Sequence, residues 1–251
     1  MSVRNRKMLE EFDYPKVEID YPESDGKPMA ETDKHRDLMT ALIGSLRNHF
    51  ADAKDVYVSG NLLLYYVEGD LDKNVAPDVF VVRGVGKHDR RTYYLWEEQH
   101  APSVVIEVSS RSTKKEDLNW KKQLYAWLGV REYFIFDPEY KLKPPLRAYR
   151  LRGGQFVEEA VTGGRVLSKE LGLELVNTGK TLRLLDPRTN RFLLTPEEEA
   201  IARRQAEAAR QDAEAARGAE AAARQRAEAE VERLRAELAH LKRSTPKKRG
   251  K

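Results

Sequence analysis

The segment between Pro77 and Pro138 places charged side chains within stretches that are otherwise apolar. Asp78 opens the apolar run at residues 79–82, Glu107 interrupts the run at residues 104–108, and Lys121 falls on the apolar face of the next predicted helix. Burying a charge costs several kcal/mol unless the charge is paired or binds a metal. Three such charges in one strand, strand and helix unit therefore indicate a shared role.

Hydrophobic periodicity predicts how this unit is built. Leucines that recur every four residues predict a helix over residues 33–50, with Thr32 as its N-cap. Buried strands are predicted at residues 78–83, 103–109 and 133–136, and the first two are continuous apolar runs, typical of central strands covered on both faces. The order helix, strands, helix, strands predicts an α/β (α+β) fold.

A second helix is predicted over residues 113–128. Thr113 and Glu116 have the spacing of a capping box, and Gly129 suits the left-handed position that ends a helix. At ~100° per residue, Lys121 lies within ~40° of Asp117. Both therefore lie on the apolar face, which also includes Trp120, Leu124, Tyr125 and Trp127. A buried ion pair between Asp117 and Lys121 is the simplest structural explanation of this pair.

Charge and composition exclude several classes of protein. The 251 residues carry a net charge of +4, but the first 194 hold 31 basic and 30 acidic side chains, so this part lacks the basic footprint of a general nucleic-acid binder. The chain has no cysteine, which removes disulfides and thiolate metal sites. No apolar run approaches the ~18 residues of a membrane span. We therefore expect a cytoplasmic protein with no membrane partner.

Composition along the chain predicts four segments. Residues 1–30 are rich in Pro, Asp and Glu and are predicted to be an extended lead-in, and residues 31–194 form the predicted folded domain. Residues 195–243 are predicted to be one long helix, because Thr195, Pro196 and Glu198 combine three helix-start signals. Residues 244–251 form a basic tail that is predicted to be disordered.

The long helix has an apolar seam. Alanines spaced mainly by four and three residues continue into larger apolar side chains towards the C-terminus, at Val231, Leu234, Leu238 and Leu241. This pattern predicts a coiled coil that joins copies of the chain into a homo-oligomer, with most of the association energy at the leucine end. The alternative is a lone helix held by neighbouring Glu and Arg pairs.

The buried charges indicate a chemistry. Two carboxylates on neighbouring strand ends can hold a hard divalent cation such as Mg²⁺ or Mn²⁺, and such an ion activates water and offsets charge on a phosphate. Lys121 can then orient the water or pair with a phosphate oxygen. The structural alternatives are that Asp78 satisfies backbone donors at a turn and that Glu107 faces water from an edge strand.

These residues resemble the Uma-type restriction-endonuclease family of the PD-(D/E)XK nuclease superfamily. The resemblance covers residues 30–190 and is most specific over residues 102–138. The matching residues are Pro77, Asp78, Pro102, Ser103, Val104, Val105, Ile106, Glu107, Val108, Ser110, Ser112, Thr113, Asp117, Lys121, Tyr125, Gly129, Val130, Glu132, Tyr133, Asp137 and Pro138.

The resemblance implies a restriction-endonuclease-like mixed central sheet flanked by helices. It implies that Asp78, Glu107 and the backbone carbonyl of Val108 bind the metal. In the superfamily a lysine follows two residues after the second acid, but here that residue is Ser109. Lys121 then stands as a migrated replacement. The supporting residues are Asp117, Tyr125, Ser109 and His35, although a histidine at a helix start is more often exposed than part of a site.

We therefore predict a metal-dependent endonuclease that hydrolyses DNA phosphodiester bonds, with Asp78, Glu107 and Lys121 as catalytic residues. The alternative is a catalytically weak or inactive nuclease fold that binds nucleic acid or protein and oligomerises through its coiled coil. Ser109 in the usual lysine position and the near-neutral domain favour that alternative. A purely structural coiled-coil protein fits least, because it gives no reason for polar groups in the core.

Overall fold

A computed structural model describes residues 19–24, 32–110 and 113–244, with the backbone alone for residues 241–244. The chain forms two compact units, the first ending at Thr195 and the second beginning at Pro196. Most of the predicted lead-in, Ser112 of the matching residues and the basic tail from residue 245 lie outside the described residues.

A six-stranded mixed sheet forms the centre of the first unit. Its strands lie in the order β1, β4, β6, β7, β8 and β9. The pair β6 and β7 is parallel, and the other neighbours are antiparallel. The bounds are β1 Val56–Ser59, β4 Val79–Arg83, β6 Val104–Val108, β7 Glu132–Phe136, β8 Leu146–Arg152 and β9 Gln155–Glu159.

Two smaller sheets accompany the central sheet. One has three short strands, β2 Leu64–Tyr65, β3 Asn74–Val75 and β5 Tyr93–Tyr94, in the order β3, β2, β5. The other is antiparallel and runs β10 Arg165–Ser168, β11 Leu173–Asn177, β12 Leu182–Asp186 and β13 Arg191–Phe192. The sequence patterns did not predict this four-stranded sheet.

Helices cover the two faces of the central sheet. Helix α1 (Asp33–His49) buries Leu38, Leu42 and Leu46 in a cluster with one face of the central sheet and with residues of the four-stranded sheet. The opposite face carries α4 (Trp120–Leu128), which buries Leu124 and Tyr125. Two short helices, α2 (Leu95–Glu98) and α3 (Lys114–Leu118), lie in the connections. The predicted mixed sheet flanked by helices is therefore confirmed.

One carboxylate joins the central sheet to the four-stranded sheet. Glu132, at the start of β7, is buried and accepts hydrogen bonds from the Ser168 hydroxyl and from the backbone N–H groups of Lys169 (2.9 Å) and Glu170 (3.3 Å). Arg150 pairs with the same carboxylate at 3.1 Å. A buried carboxylate with this many donors is satisfied, so the contact joins the two sheets without a cost in unpaired charge.

The second unit is the helix α5 (Pro196–Ser244), which spans 49 residues. At 1.5 Å per residue its length is roughly 70 Å. The predicted long C-terminal helix is therefore confirmed, and its apolar residues Val231, Leu234 and Leu238 are exposed on this chain. Among the described helices, none is long and apolar enough to cross a membrane.

Candidate functional site

Asp78 lies directly before β4 and is held from two sides. Its Oδ2 accepts a hydrogen bond from the backbone N–H of Val108 at 2.7 Å, and the Nε2 of His35 lies 3.1 Å from the same oxygen. His35 is buried near the start of α1, where the Thr32 hydroxyl accepts a hydrogen bond from its backbone N–H. The predicted N-cap is therefore confirmed, and it places the imidazole at Asp78.

Glu107 lies on β6, between β4 and β7, and its side chain is fully buried on the face that meets α4. Its Oε2 lies 3.0 Å from the Nζ of Lys121, and its Oε1 accepts a hydrogen bond from the Tyr125 hydroxyl at 2.7 Å. The two donors occupy successive turns of one helix. Helix α4 therefore holds both oxygens of the Glu107 carboxylate.

Asp117 completes the cluster from α3. Its Oδ1 lies 3.1 Å from the Nζ of Lys121, so this lysine bridges two buried carboxylates. The predicted helix over residues 113–128 is in fact two helices, because Asn119 (φ −120°, ψ −79°) interrupts it. The predicted capping box is wrong: Thr113 makes no side-chain cap bond and pairs instead with Ser110.

The charges in this cluster shift one another's pKa. Burial raises the pKa of Glu107 well above its ordinary value, and the negative charges of Asp78 and Asp117 act in the same direction against the opposing charge of Lys121. Burial also raises the pKa of Asp117. Burial alone would lower the pKa of Lys121, but the charges of Glu107 and Asp117 outweigh it and raise that pKa. The lysine is therefore charged.

Asp78 responds differently from the other two acids. Burial acts to raise its pKa, but the hydrogen bond from His35 and the charge of Lys121 outweigh burial, so the pKa is lowered. Asp78 is therefore the acid that stays ionised most readily. The opposite shifts of Asp78 and Glu107 give two neighbouring carboxyl groups different proton affinities, an arrangement common at functional sites.

The structure brings the predicted site residues together. Lys121 lowers the pKa of both Asp78 and Glu107 through its charge, and Tyr125 and Asp117 contact Glu107 and Lys121 directly. Val108 contacts Asp78 through its backbone N–H, and Ser109 is buried beside Asp117.

The structure tests the purely structural explanations of Asp78, Glu107 and the pair of Asp117 with Lys121. Asp78 does bind a backbone donor, but the donor lies thirty residues away and not in a turn. The edge-strand alternative for Glu107 is wrong, because β6 has a neighbour on each side. The ion pair between Asp117 and Lys121 forms, but Lys121 also pairs with Glu107, so that pair is not the whole explanation.

Three features of the site differ from what the sequence favoured. His35 is buried, although a histidine at a helix start is more often exposed, and its three-residue spacing to the buried Leu38 was the missed signal. Trp120 and Trp127 are exposed, because the break at Asn119 separates their helix from that of Asp117. The sequence patterns did not predict the close approach of Gly60, where a Cβ would lie 2.0 Å from the carbonyl oxygen of Asp78.

The oxygen atoms of the site are of the chemical type that a hard divalent cation binds. Within the described residues no group of three or more His, Cys, Asp or Glu side chains could hold a metal. An ion here would instead take the carboxylates of Asp78 and Glu107 with the carbonyl of Val108, an all-oxygen set of the kind that Mg²⁺ prefers. Each carboxylate oxygen has two lone pairs, so the bonds to Lys121 and Tyr125 leave acceptor capacity on Glu107.

A family comparison agrees with this geometry. The family model Uma2, described as "Putative restriction endonuclease", matches residues 7–183. The chain belongs to this family. The resemblance drawn from residues 102–138 is therefore confirmed. A nuclease function follows at the level of the Uma2 family.

Comparisons with solved structures and with curated proteins give less information about the chain. The chain is similar to the crystal structure of a "putative nuclease belonging to DUF820" from Anabaena variabilis, with 15% sequence identity and a TM-score of 0.43. That similarity covers 61% of this chain and 86% of the other. No curated protein matches the chain.

Proposed function

We propose that this Uma2-family protein is a divalent-metal-dependent endonuclease that hydrolyses phosphodiester bonds in DNA. The observation that carries the proposal is the contact of Lys121 with Glu107 at 3.0 Å, on the strand next to the one that Asp78 precedes. An acid on each of two neighbouring strands and a lysine on the covering helix are groups that can serve the metal-assisted hydrolysis of a phosphodiester.

The charge balance of the cluster supports a cation. Two buried acids, Glu107 and Asp117, and the partly buried Asp78 face one lysine and one histidine. Even with His35 protonated, the negative charges outnumber the positive ones when all three acids are ionised. With His35 neutral, the three ionised acids exceed the charge of Lys121 by two, and a divalent cation balances them. Without a cation, burial favours a proton on Glu107.

The residues of the chain have separate roles in the proposed reaction. Asp78, Glu107 and the carbonyl of Val108 would hold the ion, which lowers the pKa of water and offsets charge on the phosphate in the transition state. Lys121 donates to the attacking water or to a phosphate oxygen. Asp117 and Tyr125 are positioning residues, because Asp117 holds the ammonium group of Lys121 and Tyr125 holds the carboxylate of Glu107. His35 orients Asp78 in the same way.

Cleavage of supercoiled plasmid tests the proposal. The full-length protein with Mg²⁺ or Mn²⁺ should nick the plasmid, EDTA should stop nicking, and Glu107→Gln should abolish it. Glu116→Gln is the matched control, because Glu116 is exposed on α3 and makes none of the site contacts described above. Equal nicking by the wild type and Glu107→Gln would overturn the assignment of Glu107.

One observation favours a second candidate, a nuclease fold that binds nucleic acid or protein without cutting. Glu107 is fully buried with both oxygens already hydrogen-bonded, and Ser109 occupies the usual position of the lysine. Calorimetric titration with Mn²⁺ separates the candidates. Saturable binding that Asp78→Asn removes supports the catalytic form, and no binding by the wild type supports the second candidate.

We also propose that α5 joins copies of the chain as a coiled coil. Val231, Leu234 and Leu238 are exposed on the isolated helix and lie at coiled-coil spacing near its C-terminal end. Pairing would bring two sites to the two strands of a duplex. Sedimentation equilibrium should give a multiple of 28.8 kDa for the full chain, and deletion of residues 195–251 should give a single copy. An unchanged number of copies would refute the pairing.

A further inference from the structure

Two tryptophans stand exposed on the outer side of the helix that carries Lys121. Trp120 is 46% exposed and Trp127 is 69% exposed. Seven residues separate them, so on α4 they point within about 20° of each other and lie about 10 Å apart along the helix axis. The edge of Tyr66 meets Trp127 at a ring-centroid distance of 6.1 Å. These three side chains form an aromatic surface, called here the tryptophan face.

The exposed parts of the tryptophan face contribute little to the stability of the fold. Leu124, Tyr125 and Lys121 supply the buried side of α4, and the two tryptophans stand to one side of it. A large aromatic side chain stabilises the fold through the apolar surface that it buries, so Trp120 and Trp127 contribute much less than buried tryptophans would. Exposed apolar surface of this kind is typical of a binding site.

The position and charge of the tryptophan face point to nucleic acid as its ligand. Trp120 is next to Lys121 in the chain, so the tryptophan face begins at the end of α4 that carries a residue of the proposed site. On α3 and α4, the lysines that reach the surface are Lys114, Lys115 and Lys122, and they outnumber the one exposed acid, Glu116. Lysine is depleted from protein interfaces, whereas lysines beside exposed aromatic rings are the usual composition of a surface that binds single strands.

A paired duplex cannot use these rings, because its bases are already stacked on one another. Unpaired bases can stack on an exposed aromatic side chain, and every base can do so regardless of sequence. The ~10 Å between the two tryptophans corresponds to about three nucleotides at the 3.4 Å spacing of stacked bases, and an extended unpaired strand spans it with fewer. The two rings can therefore contact bases of one short unpaired stretch.

We propose that Trp120 and Trp127 stack on unpaired bases of the DNA strand held at Glu107 and Lys121, so that the preferred substrate contains single-stranded DNA next to the cleaved bond. This inference rests on the proposed nuclease function, since it concerns the substrate of the same site. It adds a substrate class, single-stranded or locally unpaired DNA, and two residues that recognise it.

Fluorescence anisotropy in EDTA tests the proposal without cleavage. The probes are a fluorescein-labelled 20-nucleotide oligo(dT) and the same strand annealed to oligo(dA). The full-length protein should bind the single strand more tightly than the duplex. Trp120→Ala and Trp127→Ala should each weaken single-strand binding by about 5- to 140-fold, since base stacking on an aromatic ring contributes about 1–3 kcal/mol.

Matched variants separate stacking from damage to the fold. Trp120→Phe and Trp127→Phe keep an aromatic ring and should recover most of the affinity. Phe192→Ala removes an exposed aromatic ring from the four-stranded sheet and should leave the affinity unchanged. An equal loss in Phe192→Ala, or no loss in either tryptophan→Ala variant, would overturn the proposal.

Two further results distinguish this inference from the proposed function. Nicking that Glu107→Gln abolishes, together with tryptophan variants that bind oligo(dT) normally, would refute the stacking proposal alone. Stacking without any nicking would refute the catalytic proposal and leave the tryptophan face as a single-strand binding surface. A fall in sedimenting mass on Trp127→Ala would show that the face contacts a second copy, and it would also overturn the proposal.

Discussion

Replacing Lys121 by methionine should destabilise the first unit more than any other single loss of a lysine there. The lysine is buried and lies within 3.1 Å of two buried carboxylates, Glu107 and Asp117. Methionine keeps the apolar stem and removes the charge, so both acids lose their cation. Removing one partner of a buried ion pair costs about 3–5 kcal/mol. For a unit of this size that corresponds to a fall in Tm of roughly 6–20 °C.

Urea unfolding followed by tryptophan fluorescence measures this effect in the relevant unit, because all three tryptophans lie before residue 195. Lys122→Met is the matched control. Lys122 is the next residue on the same helix, and its Nζ lies over the ring of Tyr149 at 4.1 Å. A cation–π contact of this kind contributes about 0.5–1 kcal/mol, so the control should shift the free energy of unfolding by no more than that.

A compensating variant sharpens the test of Lys121. Glu107→Gln combined with Lys121→Met removes the carboxylate of Glu107 together with the ammonium group of Lys121. The double variant should recover part of the stability lost in Lys121→Met, because only Asp117 is then left without its cation. Equal free energies of unfolding for Lys121→Met and Lys122→Met would refute the bridging role of Lys121.

Two further perturbations test other parts of the structure. Gly60→Ala would place its Cβ 2.0 Å from the carbonyl oxygen of Asp78 and 2.7 Å from the Cδ1 of Ile43, so it should cost about 1–3 kcal/mol in urea unfolding and reduce Mn²⁺ binding. Gly86→Ala, whose added Cβ would lie no nearer than 3.8 Å to a neighbouring atom, should cost much less, and equal effects would contradict the argument. Burial lowers the pKa of His49 below its ordinary value of 6.5, so the unfolded chain takes up a proton first and stability should fall as pH drops below that value. His49→Gln should flatten the stability profile between pH 7 and pH 5, and an unchanged slope would exclude this histidine as the cause.

The central part of the fold could be predicted because its signals are local. Continuous apolar runs predicted β4 and β6 as central strands and β7 as a buried strand, and these strands are buried along nearly all of their length. Thr32 predicted the start of α1 and Gly129, with φ of 84°, the end of α4. In each case a physical requirement of the element, either burial on both faces or a satisfied helix end, leaves a readable residue pattern.

The rest depended on contacts between distant parts of the chain. Nothing near Asn119 in the sequence marks the helix break, so the orientation of Trp120 and Trp127 was predicted wrongly. The strands of the four-stranded sheet are short, and their apolar residues pack with α1. The contact of His35 with Asp78 spans more than forty residues. Such pairings leave no periodic signal, and the roles of the site residues stay predictions until they are tested.

The Glu132 carboxylate described above has a consequence for how the first unit opens. Its acceptor atoms lie on β7, whereas three of its donors lie in residues 168–170, at the end of β10 and just after it. Detaching the four-stranded sheet would remove these three hydrogen bonds and leave Arg150 as the partner of the carboxylate, so separate opening of either sheet is disfavoured. Slow amide exchange at Lys169 and Glu170 should accordingly proceed at the rate of global unfolding, making the two sheets one cooperative block.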